Sequence, residues 1–171
     1  MDRLFGWYGR VLQVLMAIGL ALMVVLVFGN VTLRYVFNSG ISVSEEMARW
    51  LFIWVTFLGA IVAMRERAHL GTGFLLDRLP TAGKKACLVV AHLLMLGTCW
   101  LVLEGAWEQA KINWDVSAPS SGLSMAIFYA SGVVFAISAL LILANDLFGL
   151  LTGRVPADEL ASMRESEEVP R

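Results

Sequence analysis

Charge is sparse in this chain. Of 171 residues only 16% are Asp, Glu, Lys or Arg, against 58% hydrophobic, too apolar a balance for a soluble domain of this length. No Asp or Glu falls inside any of its long apolar runs. A proton-coupled exporter acting alone needs a titrating carboxylate at mid-depth in the bilayer, so that function is disfavoured. Histidine is scarcer still, with two residues. His92 is the one intramembrane candidate and His69 lies in a loop at another depth, so a bis-histidine haem within this chain is improbable, and His92 reads as a hydrogen-bonded packing residue. Cys87 and Cys99 lie on one apolar run, and twelve helical steps put them ~18 Å apart, beyond disulfide reach. A quinone-linked thiol oxidant needs an exposed pair, which these are not; they read as small buried hydrophobes. Phosphate-cradling glycine loops, metal clusters and nucleophile constellations are absent. A net charge of −1 gives no pull toward nucleic acid. No enzyme activity and no cofactor is therefore expected.

What is present is four apolar spans. Val11 to Leu33 carries no charge and, at ~34 Å as a helix, crosses a ~30 Å hydrocarbon core. It is longer than a signal-peptide core, lacks a clean small-x-small cleavage site before Arg34, and is expected to be retained. The second span runs from about Met47 to Met64, the third over residues 86–103 and the fourth over 124–145, with Asp146 marking its end. Trp7 and Tyr8 precede the first span like headgroup-level aromatics. Asn113 to Gly122 reads as a turn. Between the second and third spans, Leu70, Phe74, Leu75 and Leu79 suit either a short interfacial helix stopped by Pro80 or an irregular loop. Residues 152–171 are charged, aperiodic and expected to be a mobile tail, leaving 1–151 as the membrane domain.

The most structured stretch is Ile41 to Leu70. Ser42 and Glu45 have the spacing of a capping box and predict a helix from about Val43. Glu45, Arg49, Phe52, Thr56, Gly59 and Ala63 then line one face, with Glu45 the available partner of Arg49 at the favourable four-residue spacing. Thr, Gly and Ala on one stripe admit another helix closely, which makes this a candidate docking element. Trp50, Trp54, Phe57 and Ile61 lie on another face, toward lipid or a larger protein. Past the third span, Glu104, Trp107, Glu108, Lys111 and Trp114 continue at near-helical spacing as an aromatic edge.

Orientation follows from the basic residues. With the N-terminus inside, Arg3, Arg10, Arg65, Arg67, Arg78, Lys84, Lys85, Arg154, Arg164 and Arg171 fall on the inner side, against Arg34, Arg49 and Lys111 outside. Both termini are expected in the cytoplasm. The expected fold is thus an all-α integral membrane protein of four transmembrane helices. Function classes left open are an accessory or scaffold subunit, a self-sufficient homo-oligomeric channel or exporter, and a haem or quinone electron-transfer subunit; the lack of machinery favours the first.

Asn30 to Pro80, NVTLRYVFNSGISVSEEMARWLFIWVTFLGAIVAMRERAHLGTGFLLDRLP, resembles the signature region of the small Q-type membrane subunit of tripartite ATP-independent periplasmic (TRAP) transporters. The matching pieces are Leu33-Arg34-Tyr35, Glu45-Glu46 followed by Arg49-Trp50, the aromatic second span, and Arg65 with His69-Leu70 before Leu79-Pro80. The resemblance implies a bacterial inner-membrane subunit that scaffolds a large elevator-type membrane subunit, which carries substrate and sodium. A periplasmic solute-binding protein delivers organic acids, four-carbon dicarboxylates among them. On this reading Asn30, Arg34, Tyr35, Glu45, Glu46, Arg49, Trp50, Thr56, Gly59 and Ala63 form the subunit interface. Arg34, Glu45, Glu46 and Arg49 are expected to make one polar cluster, unless they are ordinary headgroup-solvated charges. Trp107, Lys111 and Trp114 are candidates for docking the binding protein, or for plain aromatic-belt anchoring among membrane lipids.

Overall fold

A computed structural model of the chain describes residues 2–65 and 81–152. It contains four helices, α1 (Asp2–Phe37), α2 (Ser42–Arg65), α3 (Thr81–Ile112) and α4 (Ala126–Thr152). All four are long and apolar enough to cross a membrane. The loop between Arg65 and Thr81, with its alternative of an interfacial helix, and the tail beyond Thr152 lie outside the described residues.

The helices outrun the apolar spans. The first extends past both Arg10 and Arg34, the third continues through Glu104 to Ile112, and the fourth runs on beyond Asp146 to Thr152. A charge-free run measures hydrocarbon thickness, whereas backbone hydrogen bonding carries a helix into the interface until something stops it. For α1 the stop is Asn38, in the left-handed conformation at φ 49°, with the Ser39 N–H returning to the Leu33 carbonyl at 3.1 Å. Asparagine tolerates that region better than most residues.

Helices α2 and α4 form the centre; α1 packs on α2 and α3 on α4. Leu12, Ile61, Val62 and Ile142 meet where α1, α2 and α4 converge. Cys99, Ala139 and Leu143 form a second cluster between α3 and α4. The most buried helix is α4, whose Ser131, Gly132, Ala136, Ala139 and Leu143 follow a helical stripe. At Gly132 a Cβ would sit 3.2 Å from the Ala106 Cβ. Small residues here allow the close backbone approach that drives association where lipid removes the hydrophobic incentive.

The aromatic face of α2 is internal. Trp50 meets Phe128 edge-on at 6.4 Å between ring centroids, and Phe57 lies 5.4 Å from Phe135. The Trp54 indole N–H donates to the Ile127 carbonyl at 3.2 Å. Trp50 and Ile61 are buried and Trp54 and Phe57 half-buried, so this face packs largely within the chain. Conversely Phe52, Thr56 and Ala63 are exposed, so the small-residue stripe is left open.

At the end of the bundle where the chain passes from α2 toward α3, the Arg65 guanidinium occupies the space a side chain at Gly9 would need. Nearby the Tyr8 and Ser138 hydroxyls are 2.9 Å apart, tying α1 to α4. Cys99 is buried, but Cys87 is exposed and both are free thiols, which corrects the reading of the pair as buried. His92 is buried, its Nδ1 2.8 Å from the Leu88 carbonyl one turn earlier.

Candidate subunit-docking site

The other end of the bundle gathers the polar residues. Asn30, 6% exposed on α1, accepts the Ile41 N–H at 2.7 Å and donates to Glu45 at 3.1 Å. Arg34, one turn later, reaches the same Glu45 oxygen at 2.5 Å. Ser44 adds a hydroxyl bond to the Leu26 carbonyl at 2.9 Å. These contacts pin the start of α2 to the last turns of α1. They also replace two expectations. Glu45 pairs with Arg34 across helices rather than with Arg49 along its own, and its carboxylate is drawn away from the capping box with Ser42. The helix starts at Ser42 with the Ser44 N–H on the Ile41 carbonyl at 3.0 Å.

Glu46 does something different from its neighbour. It is buried, and it accepts the Ser120 N–H at 2.9 Å, the Ser121 N–H at 3.3 Å and the Ser121 hydroxyl. The segment it holds is a tight hairpin turn. Ala118 N–H bonds the Leu123 carbonyl at 2.7 Å, Met125 N–H the Val116 carbonyl at 2.8 Å, and Gly122 takes φ 71° at the tip. Ser124 finishes the connection: its hydroxyl donates to the Trp114 carbonyl at 2.6 Å and accepts the Ala126 N–H at 3.2 Å, capping α4. Glu46 thus fixes the α3–α4 connection onto α2.

The expected four-residue cluster is therefore two separate fastenings, Arg34–Glu45–Asn30 and Glu46–Ser120/Ser121. Arg49 joins neither; it is exposed and makes no ion pair or hydrogen bond among the described residues. It lines a cleft of about 360 Å³ with Ser42, Glu45, Glu46, Trp50, Pro119, Ser120, Met125 and Phe128. Of the remaining candidates, Tyr35 is 83% exposed, Trp50 is buried, and Gly59 faces Met16 of α1. Trp107 and Trp114 are exposed, but Trp114 lies beyond the end of α3, and Lys111 is paired with Glu108 at 2.5 Å. Sequence reading missed Ser120, Ser121, Ser44 and Tyr8 as partners. The one available signal was an Asn and an Arg four residues apart at the end of an otherwise uncharged span.

A two-point fastening of this kind holds helices in register and contains no reactive constellation; among the described residues no three His, Cys, Asp or Glu are grouped to hold a metal. Residues 23–153 match the profile of the tripartite ATP-independent periplasmic transporters, DctQ component. The chain belongs to this family of small TRAP permeases. It is 41% identical over 159 residues to a TRAP transporter small permease protein of Haemophilus influenzae, covering 91% of this chain and 99% of the relative. It is 31% identical over 110 residues to the C4-dicarboxylate TRAP transporter small permease protein DctQ of Vibrio cholerae, covering 60% of this chain and 47% of that protein. It is also 26% identical over 121 residues to the isethionate TRAP transporter permease protein DctMQ of Oleidesulfovibrio alaskensis, covering 71% of this chain but 18% of that longer protein. Members of the family are components of transporters that work with a large membrane subunit. The small permease is accordingly a multi-pass membrane protein.

Proposed function

We infer that this small permease braces the large subunit of a TRAP transporter in a bacterial inner membrane, with both termini in the cytoplasm and the α3–α4 connection in the periplasm. The observation that carries the reading is the open side of α2. Its aromatic face packs largely against α4, while Phe52, Thr56 and Ala63 stay exposed below Arg49. Small residues on a lipid-accessible stripe suit close contact with another transmembrane helix. Asn30, Arg34, Glu45, Glu46 and Trp50 act from within, holding that stripe and the exposed Tyr35 at a set angle, and Gly59 keeps α1 close behind it. The distribution of ten inner against three outer basic residues supports the orientation.

Trp107 and Trp114, exposed on the same side as the hairpin turn, then face the periplasm and help dock the solute-binding protein, with Lys111 contributing alongside its partner Glu108. The cargo is an organic acid. Relatives named for C4-dicarboxylate and for isethionate both match this chain in sequence, which accords with substrate choice residing in the other components.

Co-purification of the large subunit with tagged variants of this chain tests the brace. Thr56→Trp and Ala63→Trp should each lower the recovered large subunit and uptake, while Val90→Trp, on an exposed position of α3, should not. Equal recovery from all three would refute the assignment of the α2 stripe.

A further inference from the structure

We propose that the cleft beside Arg49 is a binding site for the headgroup of a zwitterionic phospholipid, with phosphoethanolamine as the fitting chemistry. The cleft lies at the end of four membrane-crossing helices, where headgroups are the surrounding medium, and its volume of about 360 Å³ falls within the range of small-ligand sites. Its walls divide by chemistry. Arg49 projects an uncommitted guanidinium, a planar fork matched to phosphate geometry. Ser42 adds a hydroxyl that makes no hydrogen bond among the described residues. Trp50, Met125 and Phe128 form an apolar floor on which the glycerol and first acyl carbons can rest.

The carboxylates decide between lipid classes. Glu45 and Glu46 both line the cleft. The hydrogen bonds that Glu45 receives fall on Oε1, leaving Oε2 to accept from an ammonium, and Phe128 and Trp50 offer aromatic surface near the same place. Charge is also balanced: two carboxylates are offset by Arg49 within the cleft and by Arg34 on Glu45 from outside it. A neutral pocket with separated positive and negative ends complements a zwitterion, whereas an anionic lipid such as phosphatidylglycerol would bring a phosphate for Arg49 but only neutral hydroxyls, and no cation, for the carboxylates. The headgroup would occupy the rim above the α2 stripe, leaving Phe52 to Ala63 to the protein partner.

The test uses the full chain alone in detergent, so it does not depend on the large subunit. Native mass spectrometry is run with equal amounts of phosphatidylethanolamine and phosphatidylglycerol. One retained phosphatidylethanolamine is expected, preferred over phosphatidylglycerol. Arg49→Gln should weaken retention about ten-fold or more, the loss of a charge-assisted contact, and Arg49→Lys should keep part of it. Glu45→Gln should instead shift the preference toward phosphatidylglycerol. Lys85→Gln, exposed at the opposite end of α3, should leave both unchanged, and circular dichroism verifies that each variant is folded. Equal retention of the two lipids, insensitive to Arg49, overturns the proposal. So does a result in which Arg49→Gln leaves phosphatidylethanolamine retention intact.

Discussion

Replacing Asn30 separates a structural polar network from a decorative one. Its amide carries two contacts, 2.7 Å from the Ile41 N–H and 3.1 Å to Glu45, and it is buried. A neutral hydrogen bond nets about 0.5–1.5 kcal/mol, and one to a charged group about 1.5–3. Ile41 and Glu45 are both exposed, so water recovers part of each loss, and Asn30→Ala should cost about 1–3 kcal/mol in total. Asn30→Asp distinguishes geometry from charge. It keeps an acceptor for Ile41 but removes the donor to Glu45 and sets a second carboxylate against the first. Two like charges ~4 Å apart repel by up to ~4 kcal/mol at an effective dielectric of ~20, which Arg34 offsets only in part. At neutral pH, Asn30→Asp should therefore be the less stable variant. Thermal unfolding in nanodiscs at neutral pH, followed by circular dichroism, should rank wild type above Asn30→Ala above Asn30→Asp. Coincident curves for all three would refute the claim that this amide fastens α2 to α1.

Two further substitutions test the other contacts. Gly132→Leu should force α3 from α4, because a Cβ already falls 3.2 Å from Ala106; overpacking of about 1–3 kcal/mol should lower the unfolding midpoint, Gly132→Ala should be milder, and an unchanged midpoint for the leucine variant would contradict the close approach. Glu46→Gln exchanges a pure acceptor for a group with one acceptor oxygen, so the Ser120 and Ser121 amides should exchange hydrogen faster while the Ala118 amide, bonded inside the hairpin, keeps its protection; uniform exchange across the turn would argue against the tether.

The number and type of helices were legible because uncharged runs of membrane length have few alternatives. Which faces point inward was not. In water an amphipathic stripe reports the core, but in lipid the outside is as apolar as the inside, so the aromatic and small-residue faces of α2 look equivalent in sequence. The aromatics turn largely inward, Trp50 against Phe128 and Phe57 against Phe135, and the α4 stripe of Gly132, Ala136 and Ala139 carries close helix packing inside the chain. Charge pairing failed for a related reason. Four-residue spacing favours Glu45 with Arg49, yet a residue on a neighbouring helix can approach as closely, and Arg34 does.

That exchange of partners changes what the polar residues can be asked to do. Arg34, Glu45, Asn30 and Glu46 spend their hydrogen bonds on one another and on the Ser120–Ser121 turn, so disturbing any of them alters the fold before it alters a docking surface. Arg49 is different: it is the exposed cation at this end whose removal deletes no internal bond among the described residues. A bilayer penalises an uncompensated arginine drawn below the interface. Arg49 therefore stays at headgroup depth or meets an anion from outside the chain. Either way, the register of the open α2 stripe is set relative to the membrane surface by one residue, and relative to α1 and α4 by the others.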